Sequence, residues 1–106
     1  MDLKGNKITW LGHATFHIET ASGKSILIDP WVMNNPACPN DKKSFKKIDV
    51  MLCTHGHGDH IGDAVELTKK HNPKIVAPLS TPISTTFCPV KSREICSPIS
   101  ATRLEI

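Results

Sequence analysis

The first thirty residues alternate polar and apolar side chains with a period of two. Thr15, His17 and Glu19 interleave with Phe16 and Ile18, the pattern of a half-buried strand over 15–20, and residues 7–11 read as a strand before it. Ala21-Ser22-Gly23-Lys24 supplies turn chemistry, and the continuous apolar run Ile26-Leu27-Ile28 then suits a third strand at 25–29 buried on both faces. Pro30 ends it. A second apolar run, Val50-Met51-Leu52-Cys53, marks a strand over 49–54. Beyond residue 60 the period lengthens. Ile61, Ala64, Val65 and Thr68 recur at i, i+3, i+4 and i+7, with Asp63, Glu66, Lys69 and Lys70 on the opposite side, so an amphipathic helix is predicted with a Glu66–Lys70 pair at i,i+4. Pro73 stops it, and residues 74–77 begin another strand. Strand, loop, helix and strand form a β-α-β unit, which places the chain in the α/β class.

Two stretches lack such periodicity. Residues 31–47 carry Asn34-Asn35-Pro36, Cys38-Pro39-Asn40-Asp41 and paired lysines, the composition of a long loop. Long loops inside compact domains are usually functional, and this one is expected to overhang the site, with Trp31 and Met33 facing a substrate. The alternative for Trp31 is packing against the sheet. Residues 79–106 are broken by Pro82, Pro89 and Pro98, and only 93–96 hint at a short strand. The chain therefore divides into a patterned part, 1–78, and an unpatterned tail, 79–106.

Composition narrows the class without naming a function. A chain of 106 residues, 39% hydrophobic and 22% charged, is one soluble globular domain. Its net charge of +3 rests on scattered lysines with little aromatic interleaving, so no dedicated nucleic-acid surface is indicated. Cys38, Cys53, Cys88 and Cys96 form no C-x-x-C pair, which argues against a structural zinc knuckle or a disulfide framework and for free thiols in a reducing compartment. The amino terminus lacks an apolar leader, and no run approaches the roughly 20 apolar residues of a membrane span. A cytoplasmic protein is expected.

The chemistry concentrates in Thr54-His55-Gly56-His57-Gly58-Asp59-His60-Ile61-Gly62. His55 and His57, two apart, project to one side of extended chain and form a chelating pair. Asp59 and His60 are adjacent, so the chain must turn there for both to face one pocket, and Gly56 and Gly58 are placed to allow it. Nitrogen and oxygen donors suit zinc, iron or manganese, and neighbouring pairs suit two metals. A two-metal site implies hydrolysis. A surface or core histidine with no ligand role is the ordinary reading of a lone histidine, but three of them interleaved with glycine leave no apolar face to pack.

The run His55-x-His57-x-Asp59-His60 resembles the signature of the metallo-β-lactamase-fold hydrolases. Ile8-Thr9-Trp10-Leu11-Gly12-His13-Ala14-Thr15-Phe16 and Ile26-Leu27-Ile28-Asp29-Pro30 look like the opening strands of a branch similar to the ascorbate-phosphate lactonases. The resemblance spans residues 7–78. It implies the first half of an αββα sandwich, with His55 and His57 on one metal, Asp59 and His60 on a second, and a metal-bound hydroxide attacking an ester, lactone or phosphoester of a small-molecule substrate. Asp59 is the catalytic candidate, also accepting a proton. Asp29 is implied to orient the ligand loop; otherwise it is a strand-end turn former. His13, in a glycine-flanked break between strands, either supports the ligands or binds substrate, or is a surface turn histidine. In related proteins a later histidine, a bridging aspartate and another histidine complete the two metals, whereas residues 79–106 contain no histidine and only Glu94 and Glu105 as acids. The chain is thus expected to be a truncated or frame-altered fragment, or to complete its site with another chain. At most one divalent metal, zinc first, is expected, held by His55, His57 and either Asp59 or His60. A non-catalytic metal-binding remnant is one alternative, and a nuclease branch using Lys42, Lys43, Lys46 and Lys47 is another. An uncovered sheet face bearing Ile8, Ile26, Ile28 and Leu52 is expected to promote self-association.

Overall fold

The apolar runs pair into one sheet. In the computed structural model, which describes residues 3–78, five strands lie in sequence order: β1 (Lys7–Trp10), β2 (Phe16–Glu19), β3 (Ser25–Ile28), β4 (Val50–Leu52) and β5 (Lys74–Val76). Pairing is antiparallel from β1 to β3 and parallel from β3 to β5. Each strand is shorter at its ends than its predicted span, the usual uncertainty of boundaries. The proposed strand at 93–96 lies outside the described residues.

Register sorts the side chains into two faces. Ile8, Ile18, Ile26 and Val50 form one cross-strand row, and Trp10, Phe16, Ile28, Leu52 and Val76 form the next on the same face. Leu27 and Met51 point the other way and are fully buried. They meet α2 (Ala64–His71) and the 31–47 segment: Leu27 clusters with Leu11, Val32, Cys38 and Ile48, and Met51 with Cys53 and Ala64, while Leu67 packs against both clusters. One face is therefore covered, and the other is apolar with no helix layer among the described residues. Its exposure departs from expectation. Ile8 is 51% and Trp10 62% exposed, but Ile26 is buried and Ile28 and Leu52 are half-buried. Ile26 is a central residue flanked on both sides by Ile18 and Val50, whereas β1 is an edge strand with neighbours on one side only.

The helix also differs from its pattern. It breaks into α1 (Gly58–Ile61) and α2, so Ile61 belongs to the preceding turn and the buried stripe is Ala64 and Thr68, with Leu67 beside them. Glu66 pairs with Lys69 at 3.6 Å, one residue short of the predicted Lys70. Both partners are exposed, so the pair contributes little. Asn72 ends α2 in the left-handed region, φ +47°, its N–H donating to the Thr68 carbonyl.

Residues 31–47 are less an overhang than a packed layer. Asp63 accepts the backbone N–H groups of Val32 (2.5 Å) and Met33 (3.0 Å), and the buried Asn35 side chain donates to the Trp31 carbonyl and accepts from Ala37 N–H. Met33 borders a groove with Phe45 and Leu67 on the α2 side, away from the histidine loop. Two of the lysines read for a nuclease are engaged locally: Lys43 donates to the Met33 carbonyl, and Lys47 lies 3.3 Å from Asp49. No helix among the described residues is long and apolar enough to cross a membrane, and Cys38 and Cys53 are free thiols.

Two outcomes test this layout. Leu27→Ala should cost about 2–5 kcal/mol in urea unfolding, whereas Ile8→Ala should cost under about 1 kcal/mol; equal losses would contradict the two-faced sheet. Asp49 accepts the Ser25 N–H at 2.8 Å, and this bond, with Lys47 beside it, holds its carboxyl below the ordinary carboxylate range. A depressed folded-state value gives stability that is present above the unfolded pKa, about 3.9, and lost as pH falls through the folded one. Asp49→Asn should therefore flatten the acid limb of the stability profile below about pH 4, read as a smaller pH dependence of the urea midpoint.

Candidate metal centre

The histidine loop leaves the carboxyl end of β4, where parallel strands deliver ligands in α/β sheets. Cys53 N–H still pairs with the Val76 carbonyl, and the loop proper begins at Thr54. His57 then opens α1, whose single turn contains Asp59 and His60. That turn solves the problem posed by two adjacent ligands. The positive-φ glycines are Gly5, Gly12 and Gly23, so Gly56 and Gly58 are not the left-handed hinges expected of them.

Asp29 anchors the loop. The residue sits just past β3 with φ +46°, and its carboxylate is almost wholly buried. Its Oδ1 accepts the Thr54 N–H at 2.7 Å, and its Oδ2 accepts the Thr54 hydroxyl at 2.7 Å and the His60 Nδ1–H at 2.9 Å. Burial pushes this carboxyl up, but the bonds from Thr54 and His60 outweigh it and hold the group below its ordinary range. The bonds also assign tautomers. With Nδ1–H on Asp29, His60 presents the lone pair of Nε2. Because the Thr54 hydroxyl donates to Asp29, the His55 Nδ1, 2.9 Å from that oxygen, donates to it and leaves the His55 Nε2 lone pair outward. Donation of one ring nitrogen to a carboxylate or hydroxyl is how ligating histidines are oriented.

The carboxylates and imidazoles converge. Among the described residues, two sets of three offer ligand atoms within 4.8 Å of one another: Asp29, His55 and His60, and His13, Asp59 and His60. His57 stands in neither set, its ring edge-on to His55 at a centroid distance of 4.6 Å. His13 Nε2 lies 3.0 Å from Asp59 Oδ2 and 3.3 Å from His60 Nε2. Trp31 packs its ring 5.7 Å from His13, so it borders the cluster. Gly62 makes room for it: a Cβ there would fall 2.8 Å from Trp31 Cδ1. Cys53, at the mouth of the loop, stands in neither set, and burial, with the Asp29 charge adding, pushes its thiol up to about 12. Imidazoles and a carboxylate with supported outer nitrogens fit a divalent cation.

Two supporting residues carried no readable signal. Thr15, fully buried, donates its hydroxyl to the Asp29 carbonyl at 2.7 Å and lies 3.2 Å from the Trp31 carbonyl. Asp63 holds the start of the 31–47 segment through Val32 and Met33, and its own N–H bonds the Pro30 carbonyl. Its position just before α2 suggests a helix cap, yet it makes no side-chain cap bond.

Comparison with known proteins identifies the family. The profile of the β-lactamase superfamily domain matches residues 7–95. The chain is 71% identical over 76 residues to a UPF0173 metal-dependent hydrolase of Koribacter versatilis, covering 72% of this chain and 33% of that protein. It is 51% identical over 71 residues to a UPF0173 metal-dependent hydrolase of Methanobrevibacter smithii, covering 67% and 29%. Among solved structures, Igni18, a metallo hydrolase from Ignicoccus hospitalis, superposes with a TM-score of 0.59 at 36% identity over 67% of this chain and 31% of its own. The chain spans about a third of the length of these relatives. The matched region carries β1 to β5, the ligand loop and both helices in a metallo-β-lactamase-like arrangement, and the chain belongs to the β-lactamase superfamily.

Proposed function

We propose that this chain is the metal-binding part of a hydrolase that cleaves an ester, lactone or phosphoester in a small-molecule substrate. The observation that carries the reading is the convergence of two donor sets on His60 at the end of β4, Asp29 with His55 and His13 with Asp59, His55 and His60 being oriented through Thr54 and Asp29. A divalent cation, zinc by preference for this nitrogen and oxygen set, would supply Lewis acidity and bring the pKa of water near 7. The chain's own residues do the rest. Asp29 fixes the His60 ring, Thr54 fixes His55, and Trp31 walls one side of the cluster beside His13. Asp59, half-exposed, is placed to accept a proton from the attacking water and to bind metal. A reducing, cytosolic setting belongs to the same proposal and rests on the cysteine spacing, which forms no C-x-x-C pair.

A second reading has its own support. The chain covers about a third of its relatives, so it can hold metal without turning over substrate. Assays of the zinc-loaded and manganese-loaded chain on a p-nitrophenyl ester, a simple lactone and bis-p-nitrophenyl phosphate separate the two. Hydrolysis should appear on at least one and fall at least 100-fold in Asp59→Asn, consistent with loss of proton transfer plus a ligand. Metal uptake with no turnover on any of them would favour the binding remnant.

The apolar sheet face is proposed to bind a second copy of the chain, on the strength of the exposed edge at Ile8 and Trp10. Sedimentation velocity should show association that grows with concentration and is weakened by Ile8→Lys. A monomer at all concentrations would refute it.

A further inference from the structure

We propose that His13 is a metal ligand, completing with Asp59 and His60 a three-donor site for one divalent cation. The inference rests on the metal-centre reading above but assigns the ion to a different set of residues from the histidine pair of the loop. Spacing is the first ground. Zinc bonds of about 2.0–2.1 Å put neighbouring donors of a tetrahedral site about 3.3 Å apart. His13 Nε2 lies 3.3 Å from His60 Nε2 and 3.0 Å from Asp59 Oδ2, although 47 residues separate the two histidines in sequence.

The second ground is what each donor is doing already. Asp29, in the competing set, has both carboxylate oxygens committed to Thr54 and His60. His60 uses Nδ1 for that bond, so its remaining ring nitrogen is the one that faces His13. Two imidazole nitrogens at this distance repel as bare lone pairs, and a proton or a cation between them removes the repulsion. With Asp59 against the same His13 atom, a cation satisfies all three groups at once.

The backbone is the third. His13 has φ +52°, a region where glycine or asparagine would sit more easily. It is held there by the Thr15 N–H bond to the Gly12 carbonyl and by the Trp10 indole N–H, which donates to the His13 carbonyl at 2.9 Å. Gly12 cannot be enlarged, since a Cβ would fall 2.7 Å from that of Ala37. An unfavourable backbone held from several sides, with its side chain aimed at an acid and a histidine, is the expected form of a functional residue.

The test uses the full chain stripped of metal and titrated with Co²⁺, followed by calorimetry and visible absorption. One Co²⁺ should bind per chain, and His13→Asn, chosen because asparagine tolerates the left-handed backbone, should weaken it at least tenfold with an unchanged circular dichroism spectrum. His17→Asn, on the covered face of the sheet, should bind as the parent does. In the unsubstituted chain, Zn²⁺ should protect His13 from diethyl pyrocarbonate, mapped by mass spectrometry, so the result stands even where a variant folds poorly. Unchanged Co²⁺ affinity in a folded His13→Asn chain, or no protection of His13, overturns the inference while leaving the metal centre intact. Loss on His57→Asn alone would move the ion to His55 and His57 and overturn it equally. A parent chain that takes up no Co²⁺ would bring down both this assignment and the metal-centre reading.

Discussion

The buried carboxylate of Asp29 is the constraint from which the rest of the site follows. A charge removed from water destabilises the fold by several kcal/mol unless it is fully paired. Here the pairing comes from a backbone N–H, a hydroxyl and an imidazole N–H, on Thr54 and His60. Those groups lie at the two ends of the ligand loop. Satisfying one carboxylate therefore sets where the loop starts, where α1 sits and which nitrogen of His60 faces outward. The carbonyl of the same residue accepts from Thr15, so the hairpin carrying His13 is tied to the same point.

Much of this was legible because it depends on local chemistry. Apolar runs at Ile26-Leu27-Ile28 and Val50-Met51-Leu52 became neighbouring parallel strands, and the histidine loop followed the second, as a β-α-β unit requires. Asp29 was readable only through resemblance; nothing in its local sequence foretells three converging donors. Residues whose roles depend on distant backbone were not readable at all. Thr15 appeared as one polar position in an alternating strand, and Asp63 as one charge on a helix face, yet each fastens a loop through carbonyl or amide groups far along the chain. The break in the helix was missed for a related reason, although the predicted Ala64 and Thr68 are its buried positions. Periodicity cannot see the close approach of Trp31 to Gly62, at the junction between α1 and α2.

The two faces of the sheet show how register turns a composition into an asymmetry. Every position from Ile8 to Val50 in one row is apolar, and so is every position from Trp10 to Val76 in the next, yet α2 and the 31–47 segment lie on the opposite side. Burial on that covered side, through Leu27 and Met51, supplies the core of the described region. On the apolar side the central strand is screened by its neighbours and the hairpin edge is not.

Trp10 joins that edge to the metal centre. Its ring belongs to the bare face, and its indole N–H holds the carbonyl of His13. Anything that settles on the face and restrains this tryptophan also restrains the His13 backbone, and an ion that fixes His13 restrains the tryptophan in return. Were both proposed surfaces occupied, any coupling through this bond would have the same size in both directions. One hydrogen bond thus ties the carbonyl of a candidate ligand to a ring on the apolar face of the sheet.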